Sequence, residues 1–410
     1  MSQTLKELQA LAKTLEISGI NKLRKQELAE AIYRLKEEVE NTRSGILEVM
    51  PEGYGFLRTG GYFPCPDDVY ISQAQIKRFR LKTGHTMVGQ VRAAKEGEKY
   101  YSLVKVNSVN DLPPEEVAKL RSFDKMVPIY PQDQINLETN PTEISTRLMD
   151  IFAPIGKGQR GLLVSPPKAG KTTLLKAIAQ SIAENHPDIV LIALLIDERP
   201  EEVTDFERSI RGEVVASTFD RLPEHHTRIT EMVLEKAKRM VETGKDVVIL
   251  VDSITRMSRA YNLIIPPSGR TLSGGLDPNA MHSPKRFFGA ARNMENGGSL
   301  TILATSLIET GSRMDDVIYE EFKGTGNMEL HLNRRLAERR LFPAIDVKLS
   351  GTRKEELLLE NDVLRKEHLL RRMLSNADAV ESTEFLLGRF KKSKTNEELL
   401  QMIVDDKGVL

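Results

Sequence analysis

Tryptophan is absent from the 410 residues, and cysteine occurs once, as Cys65. A single thiol excludes an intramolecular disulfide and fits a reducing compartment. No apolar run approaches the roughly 18 residues needed to cross a bilayer. The N-terminus, MSQTLKELQALAKTLE, is amphipathic and carries acidic residues, unlike a secretory leader. The charge excess is also missing, with 59 basic and 59 acidic side chains. Bulk attraction to a polyanion is therefore excluded, and any nucleic-acid surface must come from local placement of charge. With aromatics at only 5% of the chain, each Tyr and Phe carries information. The expectation is a cytoplasmic chain without a membrane segment, long enough for two or three domains.

What is present falls into zones. Over residues 1–44, Leu8, Leu11, Ala12 and Leu15 keep helical spacing, as do Leu28, Ala31, Ile32 and Leu35. A small helical module is expected there, serving either to pack on its neighbour or to touch nucleic acid. Over 45–110 the pattern changes to GILEVM, YGFLRT, DDVYIS, TMVGQVRA and YYSLVKVNSV. Five short strands in so short a span predict a small closed barrel of the OB type. Residues 111–144 are rich in proline and polar side chains and read as a linker or a wrapped connection. From 145 to 410, apolar β-branched runs alternate with helical stretches: GLLVSPP, IVLIALLID, EVVAST, DVVILVDS and SLTILATSLI. Near-continuous apolar strands predict a mostly parallel sheet covered on both faces, and the end from about Lys354 reads as helical.

The sequence SPPKAGKTT, residues 165–173, lies between a strand and a helix whose apolar face holds Leu174, Leu175, Ile178 and Ile182. This is the context of a phosphate-binding loop. Gly170 lets backbone N–H groups turn toward phosphate at a helix N-terminus. Lys171 would reach the β- and γ-phosphates of ATP, and the Thr172 hydroxyl would meet Mg2+. The motif's usual first glycine is Ser165 here. Asp252 ends the run DVVILVD, where it either supports Mg2+ or caps the next helix, as Ser253 could equally do. Asp197, Glu198 and Arg199 end another apolar run, where ligands of α/β sheets bind. Glu198 is the candidate to polarise the attacking water, with Arg199 beside it on the nucleotide; the bland alternative is a capping cluster before Pro200.

In the barrel, Tyr54 and Phe56 stand two residues apart and so share a strand face. Aromatics so placed either stack on bases of single-stranded RNA or form the barrel's own core. Tyr70 and Tyr100 add rings. From residue 45 to 110 there are nine Lys or Arg against six Asp or Glu, so stacking would carry more of the affinity than charge.

Taken in order, GKGQRGLLVSPPKAGKT, LLIDERPEEVT, GEVVAST, VDSITRMSRAYN, PKRFFGAARN, YEEFKGTGNMELHL, FPAID and SGTRKEELL resemble the Rho family of transcription termination factors. They cover most of residues 156–358. The resemblance implies a RecA-like α/β P-loop ATPase domain following the OB/cold-shock-type barrel. It implies that Gly156, Lys157, Gly158, Gln159, Arg160 and Gly161 line the nucleotide pocket beside Lys168, Ala169, Gly170, Lys171, Thr172 and Thr173. It implies Phe342 on the adenine and Arg353 as an arginine finger acting on a neighbouring subunit, hence a homohexamer. Its primary RNA site implies roles for Gly53, Tyr54, Gly55, Phe56, Leu57, Arg58, Asp68, Val69, Tyr70, Glu98, Lys99 and Tyr100. Two loops, residues 268–275 with Arg270 and residues 310–316 with Arg313, are similar to the family's RNA-gripping pore loops. The best-known members carry Lys at both arginine positions, a change that keeps charge and alters geometry.

The implied activity is an RNA-dependent ATPase that moves 5′-to-3′ on nascent RNA and unwinds RNA–DNA hybrid, with the RNA polymerase elongation complex as partner. Two rivals stand beside it: a RecA-like or rotary-ATPase-like motor on another substrate, and an RNA-binding protein that does not hydrolyse nucleotide.

Overall fold

A computed structural model describes residues 41–407 together with Leu28, Ala29 and Ile32. The chain divides into two compact units, residues 1–120 and 121–410. Apart from those three residues and 41–44, the expected N-terminal module lies outside the described residues. Leu28 and Ile32 are helical and buried.

In the first unit, β1 (Thr42–Val49), β2 (Gly55–Arg58), β3 (Val69–Ile71), β4 (Thr86–Arg92) and β5 (Tyr101–Val109) close into a barrel in the order β1-β2-β3-β5-β4. The five expected runs are the five strands, with β1 starting three residues earlier than its apolar run. Alternation decides the interior: Leu47, Leu57, Val69, Ile71, Met87, Val91, Leu103 and Val109 point inward and are buried. A short helix, α1 (Gln73–Phe79), covers one opening. Ser72 and Gln75 close its N-terminus with a capping box.

In the second unit, nine strands among the described residues form one sheet with the main order β14-β13-β7-β12-β10-β8-β9. These are β7 (Arg160–Ser165), β8 (Val190–Glu198), β9 (Glu213–Thr218), β10 (Val247–Asp252), β12 (Ser299–Leu307), β13 (Met328–Leu332) and β14 (Ile345–Thr352), with the short β6 (Pro128–Ile129) and β11 (Arg292–Met294) alongside. From β13 through β9 all neighbours are parallel; β14 runs antiparallel to β13. Every residue of β10 is buried, as double-sided helix cover requires.

The main helices are α2 (Ile144–Phe152), α3 (Lys171–Asn185), α4 (Pro200–Ser209), α5 (Pro223–Glu242), α6 (Ile254–Ile264), α7 (His282–Gly289), α8 (Arg313–Lys323), α9 (Asn361–Leu374), α10 (Ala379–Phe390) and α11 (Asn396–Lys407). Leu174, Leu175, Ile178 and Ile182 of α3 all lie in the core. So do Ile135 and Leu137, inside the stretch that reads as a linker or wrapped connection. The Asp150 carboxylate of α2 holds that stretch by accepting the N–H groups of Leu137 and Glu138. Among the described residues no helix is long and apolar enough to cross a membrane.

Candidate nucleotide site and nucleic-acid interface

The parallel strands deliver their loops to one edge of the sheet. There β7 ends in Ser165, and Gly170, at φ +96°, starts α3. A glycine is needed at this position for its backbone, because an added Cβ would meet nothing within 4 Å. Lys171 opens the helix with its ammonium between two carboxylates, 3.0 Å from Glu198 Oε1 and 2.5 Å from Asp252 Oδ1. Thr305 of β12 donates to Asp252 Oδ1 at 2.8 Å. Glu198 and Asp252 are almost wholly buried, while Thr172, next after Lys171, is half-buried.

Burial raises the Glu198 carboxyl to about 7, with the Asp252 charge adding to the rise and Lys171 and Arg256 opposing it. Burial alone would lower the Lys171 ammonium, yet Asp252 and Glu198 carry it above the ordinary lysine value. Lys171 and Arg256 together offset the two buried carboxylates, and a nucleotide with its counter-cation is chemically suited to replace the Lys171 contacts.

The capping alternatives do not describe this site. The hydroxyl of Ser253 accepts the Arg256 N–H and caps α6, so Asp252 is left for Lys171. Arg199 stands at the start of α4 without a side-chain cap and is exposed. Asp197, at φ +58°, and Glu198 are instead bridged by Arg256, whose guanidinium lies 3.0 Å and 3.3 Å from them. Arg256 and Thr305 were not among the expected site residues. Their only sequence signal is position, four residues after Asp252 and near the end of an apolar strand.

A cavity of about 480 Å3 opens beside the phosphate loop. Lys168, Ala169, Gly170 and Thr173 form one wall and Phe342 with Pro343 the other. Phe342 is 46% exposed, which a core aromatic would not be.

One expectation is corrected. Gly156, Lys157, Gly158, Gln159, Arg160 and Gly161 do not line this chain's own pocket, because they enter β7 at the opposite end from the phosphate loop. Six strand residues separate the two ends by about 20 Å. Lys157 pairs with Asp246 at 2.6 Å, Gln159 donates to Asn327, and Arg160 donates to the carbonyls of Thr325 and Ala291. Gly158, at φ +91°, packs so closely on Asn293 that a Cβ would sit 2.1 Å from its nitrogen. Arg353 belongs to this same edge: its N–H donates to the Asn327 carbonyl.

α6 runs from the carboxylates to the loop carrying Arg270 and to the start of α8. Arg313 is the first helical residue there, so only residues 310–312 of the expected loop 310–316 are loop. Beyond Arg256, Arg259 grips the fully buried Asp315 through two bonds of 2.8 and 2.6 Å, and Thr310 donates to the same carboxylate. Asn262 donates to the Gly275 carbonyl and accepts the Asp277 N–H. The two segments touch, since a Cβ on Gly274 would lie 2.4 Å from the Met314 nitrogen. Arg270 and Arg313 themselves are exposed.

On the barrel, Tyr54, Phe56, Tyr70 and Tyr100 form one cluster outside the core, with ring centroids 4.9 to 6.2 Å apart. Gly53, at φ +92°, makes the turn, and Gly55 lies against the Glu48 carbonyl. Lys99 sits over the Tyr100 ring and Arg58 over Phe56. Glu98 is exposed at the rim, where two hydrogen bonds from Arg92 and the Lys95 N–H hold its carboxyl down to about 2. Four expected contact residues sit differently, the first being Arg58, which is buried with its guanidinium between Glu48 and Asp68. Leu57 and Val69 are fully buried in the barrel core, and Asp68 is fully buried beneath the ring cluster, paired with Arg58 and accepting the Cys65 N–H. Alternation along β2 and β3 turns Leu57 and Val69 inward. Asp68, just before β3 and on the Tyr70 face, is instead covered by its ion pair with Arg58, so it can act through Arg58 rather than by touching a base.

The Rho termination factor N-terminal domain matches residues 2–41 and the Rho RNA-binding domain residues 43–115. The nucleotide-binding domain of the ATP synthase alpha/beta family matches residues 145–352. The transcription termination factor Rho of Bacillus subtilis is 58% identical over 402 residues, covering 97% of this chain and 94% of that protein. The chain belongs to the Rho family. Rho of Aquifex aeolicus is 56% identical over 409 residues, covering 97% and 93%. Among solved structures, a type III secretion ATPase aligns with TM-score 0.58 at 22% identity, over 70% of this chain and 89% of its own. An ATP synthase subunit from Nanoarcheaum equitans aligns at 0.56 and 15%, over 69% and 78%. Those likenesses show the fold alone. This Rho-family chain thus joins an RNA-binding barrel to an ATP-binding ATPase domain.

Proposed function

We propose that the chain is a cytoplasmic transcription termination motor, an RNA-dependent ATPase that moves 5′-to-3′ on nascent RNA. In this reading it assembles as a homohexameric ring, unwinds RNA–DNA hybrid and releases transcripts from the RNA polymerase elongation complex. The observation that carries it is the join made by α6: one helix ties the Glu198 carboxylate to the loop that carries Arg270 and to the α8 start that carries Arg313.

In this reading Lys171 binds the β- and γ-phosphates, with Lys168, Ala169, Gly170, Thr172 and Thr173 around them and Phe342 on the adenine. Thr172 and Asp252 suit Mg2+, which would neutralise charge developing on the phosphates. Glu198, poised near neutrality, orients and deprotonates the attacking water, with Arg199 at the rim. Arg353 and the segment 156–161 serve the nucleotide of a neighbouring subunit, the role their place at the far sheet edge leaves open to them. RNA bases stack first on Tyr54, Phe56, Tyr70 and Tyr100, with Glu98 and Lys99 at the rim, and the strand then passes Arg270 and Arg313. Strand displacement tests this. A hybrid with a 5′ single-stranded RNA tail should unwind with ATP, and one with only a 3′ tail should not; equal unwinding of both, or of neither, overturns the reading.

A further inference from the structure

β14 leads through Arg353 and Lys354 into a short turn, Glu355–Leu357, that packs beside α9. Three side chains with metal-ligating atoms converge there. Glu355, Glu367 and His368 each offer one ligand atom, all within 4.8 Å of one another. His368 Nε2 lies 3.5 Å from Glu355 Oε1 and 3.8 Å from Glu367 Oε2. Neither separation is a proper hydrogen bond.

The second observation is Glu367 itself. Its side chain is fully buried, and Oε1 is held by Arg371. Oε2, the atom facing His368, is buried with no hydrogen-bond partner. A buried carboxylate oxygen left without a donor calls for a cation. Arg371 also donates to the carbonyls of Phe152, Val347 and Ser350, so it fixes the Glu367 carboxylate from behind as outer-shell partners of metal ligands do. His368 is half exposed, which leaves an entry path and an open coordination position.

We propose that Glu355, Glu367 and His368 form a binding site for a divalent cation of the zinc class. In a tetrahedral site with metal–ligand bonds near 2.0–2.1 Å, neighbouring ligand atoms stand about 3.4 Å apart. The 3.5 and 3.8 Å from His368 to the two carboxylates need only a small contraction, and the carboxylate oxygens themselves lie within 4.8 Å of each other. One imidazole with two carboxylates suits Zn2+ better than Mg2+, which prefers an all-oxygen octahedron. The site also has a consequence for the reading above, on which this one step rests. Glu355 follows Arg353 by two residues, so a cation that fixes Glu355 stiffens the turn presenting the proposed arginine finger.

The test is equilibrium dialysis of the full chain against Zn2+ in excess Mg2+, with bound metal counted by atomic spectroscopy. Glu367→Gln risks unfolding because it releases Arg371, so His368→Ala and Glu355→Gln carry the test. Wild type should hold one more Zn2+ per chain than either variant, and loss of a ligand should weaken that site by at least about 100-fold. Equal stoichiometry and affinity in all three folded proteins would overturn the site. Zn2+ should also change RNA-stimulated hydrolysis in wild type and not in His368→Ala. Bound Zn2+ without that effect would overturn the link to Arg353 while leaving the site.

Discussion

Phe342 and Arg353 flank a single strand, β14, from opposite ends. Phe342 faces the cavity beside the phosphate loop, and Arg353 lies on the other sheet edge, anchored to Asn327. Thr352 pairs with Met328 and Met328 with Gly161, so Arg353 stands level with the start of β7, about 20 Å from the phosphate loop at the other end of that strand. An arginine so placed cannot reach the phosphates bound by its own chain.

Arg353 should therefore act between subunits. Doping Arg353→Ala chains into wild-type assemblies should reduce ATP turnover more steeply than the fraction of mutant chain. A fall in simple proportion to that fraction would argue for independent sites.

Lys171 is the cation shared by Glu198 and Asp252. Lys171→Ala should lower hydrolysis at least about 100-fold, the range for losing one group that stabilises transition-state charge. RNA capture by the barrel should be unchanged, which a filter-binding titration reads directly. Undiminished turnover would remove Lys171 from the site.

The pH dependence follows from Glu198, raised to about 7 by burial first and Asp252 second. Below that value the carboxyl is protonated and cannot accept a proton from water; above it the base form dominates. kcat/KM for ATP, which reports the free enzyme, should fall as pH drops through about 7. A flat profile between pH 5.5 and about 8 would contradict the assignment.

In the proposed reading the ring cluster on the barrel serves binding rather than folding. Tyr54→Ala with Phe56→Ala should weaken binding of single-stranded RNA by about 1–3 kcal/mol per lost base stack. The thermal midpoint should stay near wild type, because the interior is built by Leu47, Leu57, Val69 and their neighbours. A barrel that unfolds would return these rings to a structural role.

Arg259 holds the buried Asp315 at the α8 start that carries Arg313. Arg259→Ala should leave basal hydrolysis intact and cut its stimulation by RNA roughly fivefold or more, the scale of an ordinary coupling free energy. Equal loss of both activities would point to a folding defect.

The chain's order was largely legible in its residues. The barrel strands, the apolar strands of the sheet and the phosphate loop carry local signals: period-two alternation, unbroken β-branched runs, and GKT between strand and helix. Sheet order and direction do not appear in such signals, and this is why the segment 156–161 was expected in its own pocket. It lies close to the phosphate loop in sequence, yet β7 carries it to the far edge. Asp68 illustrates the same limit: it stands two residues from Tyr70, and only the closed barrel shows it buried under Arg58. Arg256 gave only its position after Asp252, since its partners Asp197 and Glu198 come from a strand about 60 residues away.

The central claim is that nucleotide chemistry on the sheet answers to RNA. It is tested most directly by ATP hydrolysis of the purified chain with and without single-stranded polycytidylate RNA, with duplex DNA as control. Strong stimulation by the RNA and little by the duplex is the predicted result. Hydrolysis that proceeds at the same rate with and without RNA would contradict it.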